Sequence, residues 1–136
     1  MVGPRVYTEE EAQELVPIFV EAFDKLDGLR SRLAGVKIKL TALEMIWGSK
    51  VNEKDCPDHI EGVHHLEELK GLEEQFNTVL ADLAARGVTV KDVESGLVDV
   101  YHVRDGHLVN LCWKRGEKEI VAWHHVDTGF SGRQDL

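Results

Sequence analysis

Residues 97–114, LVDVYHVRDGHLVNLCWK, decide the fold, because apolar and polar residues alternate there on both sides of Asp105-Gly106. Alternation in steps of two is the mark of a half-buried strand, and an Asp-Gly pair between two such runs is a hairpin turn. Counting outward from that turn sets Val100 opposite Leu111, Asp99 opposite Cys112 and Tyr101 opposite Asn110. A third run, IVAWHHVD (120–127), follows the five-residue connection RGEKE. That spacing predicts Leu111 opposite Trp123 and Asn110 opposite His124. Since side chains on a strand alternate between faces, one face gathers Val98, Val100, Val109, Leu111, Trp113, Val121 and Trp123. It is suited to a core. The other gathers Asp99, Tyr101, Asn110, Cys112, Ala122 and His124, a population unlike a merely solvated surface.

The pattern ahead of Gly87 has a different period. Thr8 followed by Glu11 makes a capping box, and from there Leu15, Phe19, Ala22, Leu26, Leu29, Leu33, Val36, Leu40, Leu43 and Trp47 recur in steps of four and three. This is the seam of a helix that packs lengthwise on another. The breakers and charges of GSKVNEKDCP (48–57) make a loop. Asp58 then caps a second helix with Leu66, Leu69, Leu72, Phe76, Val79, Leu80 and Leu83 on one side, closed by Gly87 in the left-handed conformation. The expected fold class is therefore α+β: a long antiparallel helical hairpin (8–86) followed by a three-stranded antiparallel β-meander and a C-terminal loop (88–136), all in one domain. Helices of roughly 58 and 43 Å, at 1.5 Å per residue, are too thin a pair to cover both seams. A homodimer through the hairpin, completing a four-helix bundle, is expected. Cover by the sheet is the alternative.

Composition narrows the function classes. The chain has 136 residues, of which 43% are apolar, and a formal charge of −9. So acidic a surface repels phosphates, which argues against nucleic acid and anionic membranes as partners. Cys56 and Cys112 imply no disulfide framework. The first eleven residues, MVGPRVYTEEE, lack the apolar run of a signal peptide, and no stretch approaches a membrane span. A soluble, cytoplasmic protein is the expectation.

Candidate chemistry concentrates on the polar sheet face. His124 beside Asp99 is a base with a carboxylate to orient it, and Cys112 is a nearby nucleophile by type. Imidazole and carboxylate together also suit a divalent metal such as zinc or manganese. Asp99, His124 and Glu117 are the expected ligands, with Asp127 as a substitute for Glu117. A hydrogen-bond network that merely orients the strands is the alternative to both. In the terminal segment DTGFSGRQDL (127–136), Phe130 anchors a returning loop, and Arg133 either clamps an anion at the Asp99–His124 face or pairs with a surface acid. The segment CPDHIEGVHHLEE (56–68) places Glu61 three and four residues from His64 and His65, with Cys56 and His59 nearby. Only Glu44 matches it on the first helix, so solvated charge is the favoured reading. No phosphate-binding glycine loop, nucleophile elbow or zinc-finger spacing is present.

Taken in order, YTEEEAQEL, KDVESGLVDV, LCWKRGEKEI and WHHVDTGFSGRQ resemble the domain of unknown function 2203 family of bacterial proteins. The resemblance is carried most specifically by Gly-Leu-Val-Asp (96–99), Leu-Cys-Trp (111–113), Gly-Glu (116–117), Trp-His (123–124) and Gly-Phe-Ser-Gly-Arg (129–133). It implies Asp99, Cys112, Glu117, His124 and Arg133 as the positions to test, and no activity. Two functions are expected. The first is a non-enzymatic dimeric interaction or ligand-binding module using Asp99, Tyr101, Asn110, Cys112, Glu117, His124 and Arg133 on the polar face. The second is a small metal-dependent enzyme, hydrolytic in type, on the same face.

Overall fold

The computed structural model describes residues 5–136. The first four residues, which form part of the reading of the N-terminus as leader-free, lie outside the described residues. Thr8 caps α1 (Glu9–Gln13) through the reciprocal pair that the sequence predicts. Glu11 N–H donates to Thr8 Oγ1 at 3.1 Å, and Thr8 N–H donates to the Glu11 carboxylate at 2.9 Å. The helix does not run unbroken to Trp47. It turns at Glu14 and Leu15 and restarts as α2 (Val16–Trp47). Pro17 gives the reason: it has no N–H for the Gln13 carbonyl and its ring crowds that carbonyl, yet it fits the first turn of a new helix. A 3-10 turn (Gly48–Asn52) leads on to α3 (His59–Ala85). Gly87 closes α3 at φ 80°, with its N–H on the Ala84 carbonyl.

The fold is α+β, and its sheet has five antiparallel strands where the period-2 pattern predicts three. They are β1 (Val88–Asp92), β2 (Leu97–Arg104), β3 (His107–Lys114), β4 (Ala122–His125) and β5 (Gln134–Asp135), paired in sequence order. β1 escapes the sequence reading because VTVKD is short, ends in charge, and loses register between Val90 and Asp92. β5 is only two residues long, and no period can show in two residues. The third predicted strand shrinks from 120–127 to β4. Its lost end is held instead by a side chain: the Gln13 amide donates to Ile120 O at 2.8 Å and accepts from Ile120 N at 2.7 Å.

The central register is the predicted one. Asp99 pairs with Cys112, Val100 with Leu111, Tyr101 with Asn110, Leu111 with Trp123 and Asn110 with His124. Asp105 and Gly106 both have positive φ, 50° and 78°, as a two-residue type I′ hairpin turn requires. Val98, Val100, Val109, Leu111 and Trp113 are buried. Trp113 lies against Phe19 and Phe23 of α2, with ring centroids 5.4 and 6.1 Å away. The second tryptophan of that face departs from expectation. Trp123 is half-buried near the sheet edge, with the Arg104 guanidinium 5.0 Å from its ring and His125 edge-on. Val121 is exposed.

Contacts divide the chain into two compact units. One holds the residues up to Lys25 together with Val79–Leu136, so that the sheet and the helix ends around it form one body. The other is Leu26–Thr78, built from the remaining parts of α2 and α3 and the 3-10 turn between them. In the first unit Tyr7 is buried, its hydroxyl donating to Arg86 O and its N–H to Tyr101 O, while its carbonyl meets His102 Nδ1 at 2.7 Å. In the second, Trp47 Nε1 donates to the Asp58 carboxylate at 2.8 Å. Among the described residues no helix is long and apolar enough to cross a membrane.

Candidate functional site

Three strands of the first unit bring the polar cluster together. Asp99 on β2 and Cys112 on β3 are direct cross-strand partners, and Cys112 pairs in turn with Ala122 on β4. His124 stands two residues beyond Ala122, opposite Asn110. Neighbouring strands lie about 4.8 Å apart, so β2 and β4 are separated by the whole width of β3. The imidazole and the carboxylate nevertheless meet, His124 Nε2 lying 3.0 Å from Asp99 Oδ1. All three residues are closed off from solvent, at 2% exposure for Asp99 and His124 and 0% for Cys112.

Hydrogen-bond counting fixes the proton inventory of this pair. His124 Nδ1 lies 2.8 Å from the His125 carbonyl, which only accepts, so Nδ1 carries a proton. Nε2 faces a carboxylate oxygen, and that contact needs a proton of its own. The pair is therefore either imidazolium with carboxylate or imidazole with carboxylic acid, and its net charge is zero in both cases. The second carboxylate oxygen, Asp99 Oδ2, is buried and has no hydrogen-bond partner among the described residues. Buried polar atoms are rarely left so.

Cys112 is the third member. Burial pushes its thiol up to about 11, the Asp99 charge adds to the rise, and the Arg133 guanidinium opposes both. A thiol in that state is a poor nucleophile, because the thiolate is the reactive form. The nucleophilic role open in the sequence loses its basis. In native protein at pH 8 iodoacetamide is expected to alkylate the half-buried Cys56 and to spare Cys112, whereas both react in denaturant. Peptide mass analysis reads this directly, and equal modification of the two would refute the burial. The raised thiol also has a sign for stability. The neutral form is favoured in the folded state, so the contribution is fully present below the ordinary thiol value of 9.0 and is lost as pH rises from there through about 11. Replacing Cys112 with Ala in chelator-containing buffer should flatten the decline of stability over that window.

Glu117 and Arg133 form a second, adjoining arrangement. Glu117 sits in the β3–β4 turn after Gly116, whose φ of 102° suits only glycine. Its carboxylate accepts from Lys114 N at 2.7 Å and from Arg133 Nη2 at 2.6 and 2.8 Å. Arg133 Nη2 also reaches the Cys112 carbonyl at 3.2 Å. Partial burial lowers the guanidinium and Glu117 outweighs it, so Arg133 stays above its ordinary value. Of the two roles open to Arg133, pairing with an acid is realised, and the acid is Glu117. Phe130 remains exposed and is held by cations, Arg133 and Lys114, at 4.9 and 5.4 Å from its ring.

This geometry separates the expected metal ligands. Asp99 and His124 are together, but both Glu117 oxygens are engaged by Arg133, and Asp127 lies exposed in the turn after β4. Cys112 lies with them: Asp99, Cys112 and His124 each offer a ligand atom, and these atoms lie within 4.8 Å of one another. Among the described residues this is the one such group of three or more. Tyr101 is set apart, lining an open cavity of about 500 Å³ with Arg5, Gly87 and Thr89. Asn110 is buried beside the cluster, opposite His124. In the 56–68 segment, the half-buried His59 sets its Nδ1 against the Val51 carbonyl, and the half-buried His65 pairs with an exposed Glu61 at 3.3 Å.

The family model described as uncharacterized conserved protein (DUF2203) matches residues 5–136, and the chain belongs to that family. No curated protein and no solved structure matches it.

Proposed function

We propose that this DUF2203 protein is a non-enzymatic, homodimeric interaction module whose helical hairpin carries the dimer surface. The observation behind this reading is the exposed apolar set of the Leu26–Thr78 unit: Ile38, Met45 and Ile46 on α2, with Ile60, Val63 and Leu66 on α3. Met45 is 82% exposed. A cavity of about 410 Å³ in the same unit, lined by Leu40, Leu43, Val51, Gly62, Val63 and Leu66, adjoins it. Clusters of large exposed apolar side chains mark interaction surfaces. Charge favours a second copy as the occupant. Residues 30–50 carry five basic side chains and one acidic, a net +4, whereas residues 58–74 carry six acidic and one basic, a net −5. In a two-fold pairing the basic stretch of each chain faces the acidic stretch of the other, an isologous and self-complementary arrangement. Seam positions left half-covered within one chain, Leu33, Leu40, Leu69 and Phe76, gain cover in the same way.

The metal-dependent hydrolase has less support. Burial of Asp99, Cys112 and His124 leaves no room for a substrate, and Glu117 is committed to Arg133. For the same reason, the polar sheet face serves as a ligand site only for something of ionic size. The net charge of −9 weighs against nucleic acid and anionic membranes, and two free cysteines fit the cytosol.

Sedimentation equilibrium tests the dimer. At micromolar concentration the wild type should run at twice the 15.3 kDa chain mass, and Met45→Asp with Ile46→Asp should run at the chain mass with an unchanged circular dichroism spectrum. Rising salt should weaken the wild-type dimer, since its charges attract. A monomeric wild type overturns the reading.

A further inference from the structure

We infer that Asp99, Cys112 and His124 form a binding site for one zinc-class divalent cation, held inside the sheet face as a structural ion. Three independent features support the assignment. The donor set combines thiolate, imidazole and carboxylate, the chemistry of zinc sites, and its atoms already lie within 4.8 Å of each other. Tetrahedral coordination at about 2.0–2.3 Å brings such atoms to roughly 3.3–3.8 Å apart, a contraction that side-chain rotation on a fixed ladder supplies. His124 is oriented as metal-binding histidines are, with Nδ1–H on a main-chain carbonyl and Nε2 facing inward. Asp99 Oδ2 is a buried acceptor with no hydrogen-bond partner among the described residues, on a side chain otherwise closed to solvent.

The charges balance with and without the ion. Protonated thiol plus the singly protonated-in-excess His124–Asp99 pair is neutral. A divalent cation with thiolate, carboxylate and neutral imidazole is neutral as well. The adjacent Arg133–Glu117 pair is neutral in itself, and Arg133 stands beside the thiolate as a second layer. Binding one cation therefore expels two protons, one from Cys112 Sγ and one from the His124–Asp99 contact. No oxidant or co-reactant enters. The site is closed to solvent, so no substrate reaches the position that its three protein ligands leave free, which suits structure and not turnover.

Cobalt(II) is the probe, because a thiolate ligand gives it a charge-transfer absorption that oxygen and nitrogen donors do not. Full-length protein, stripped with a chelator, should take up one cobalt per chain with that band, and zinc should displace it. Cys56→Ser should keep the band and Cys112→Ser should lose it. Asp99→Asn, which retains the thiol and the side-chain shape, should weaken cobalt binding at least tenfold, so the test survives a poorly folding Cys112 variant. Calorimetric titrations in buffers of different ionisation enthalpy should return two protons released per zinc. Cobalt binding without the charge-transfer band points to exposed histidines such as His64 and overturns the site, as does a band that follows Cys56 or a wild type that binds nothing. The dimer test reads mass alone, so the two proposals fail separately.

Discussion

Replacing Trp113 with Ala is expected to cost about 3–5 kcal/mol of folding stability, the range for truncating a large buried aromatic. Trp113 is the largest fully buried side chain of the chain's described part. It is where the sheet meets α2: Phe19 and Phe23 lie against it, and its Nε1–H donates to Glu117 O at 2.9 Å. Truncation leaves a cavity among residues that cannot all collapse into it, and it strips the Glu117 carbonyl of its donor. The same turn sets the Glu117 carboxylate under Arg133. Trp113→Phe separates the two effects, since it keeps most of the volume and loses only the indole hydrogen bond, a loss of about 1–3 kcal/mol. Urea denaturation of the three proteins measures both. A Trp113→Ala variant within about 0.5 kcal/mol of wild type, the usual range for a surface substitution, would mean that the sheet does not pack on α2 through this residue.

The second large effect is at the His124–Asp99 pair. His124→Ala in chelator-containing buffer should destabilise the protein by about 3–5 kcal/mol, because it abandons a buried carboxylate without its partner. Asp99→Ala should act in the same direction by leaving the imidazole unpaired. The double replacement should cost less than the sum of the two, with a coupling of about 0.5–3 kcal/mol, since the second change removes the group that the first left uncompensated. Strict additivity would mean that the 3.0 Å contact contributes nothing. These expectations also bear on function. Both residues are buried in the sheet, so the variants that probe them must be checked for folding before any loss of binding is interpreted.

The sheet is legible in the sequence where local chemistry leaves no choice. Asp105-Gly106 admits a two-residue turn, and once that turn is set, every pairing from Leu97↔Lys114 to Arg104↔His107 follows by counting. A shift of one residue would have put a tryptophan and Asp99 on the same face, so the pleat enforces the faces as well. The capping box at Thr8 was legible for the same reason: both of its bonds join residues three apart. Other features depended on partners far away in the chain. Pro17 announces a weak point in a helix, but whether α1 breaks away depends on Gln13 finding Ile120, 107 residues later. Arg133 had several acids to choose from, and the position of the β3–β4 turn gave it Glu117.

What the sequence determined by itself is therefore the α+β class, the central ladder, and which side chains share its polar face. Period, capping and turn chemistry encode these within a few residues. Tertiary structure alone decided that the sheet gains β1 and β5 as its edges, that Trp123 stays half-buried while Trp113 becomes core, and that Glu117 pairs with Arg133 while Cys112 lies beside Asp99 and His124. Those outcomes turn on distances of a few ångströms between elements remote in sequence, and on which buried group is left without a partner. No local pattern carries that information.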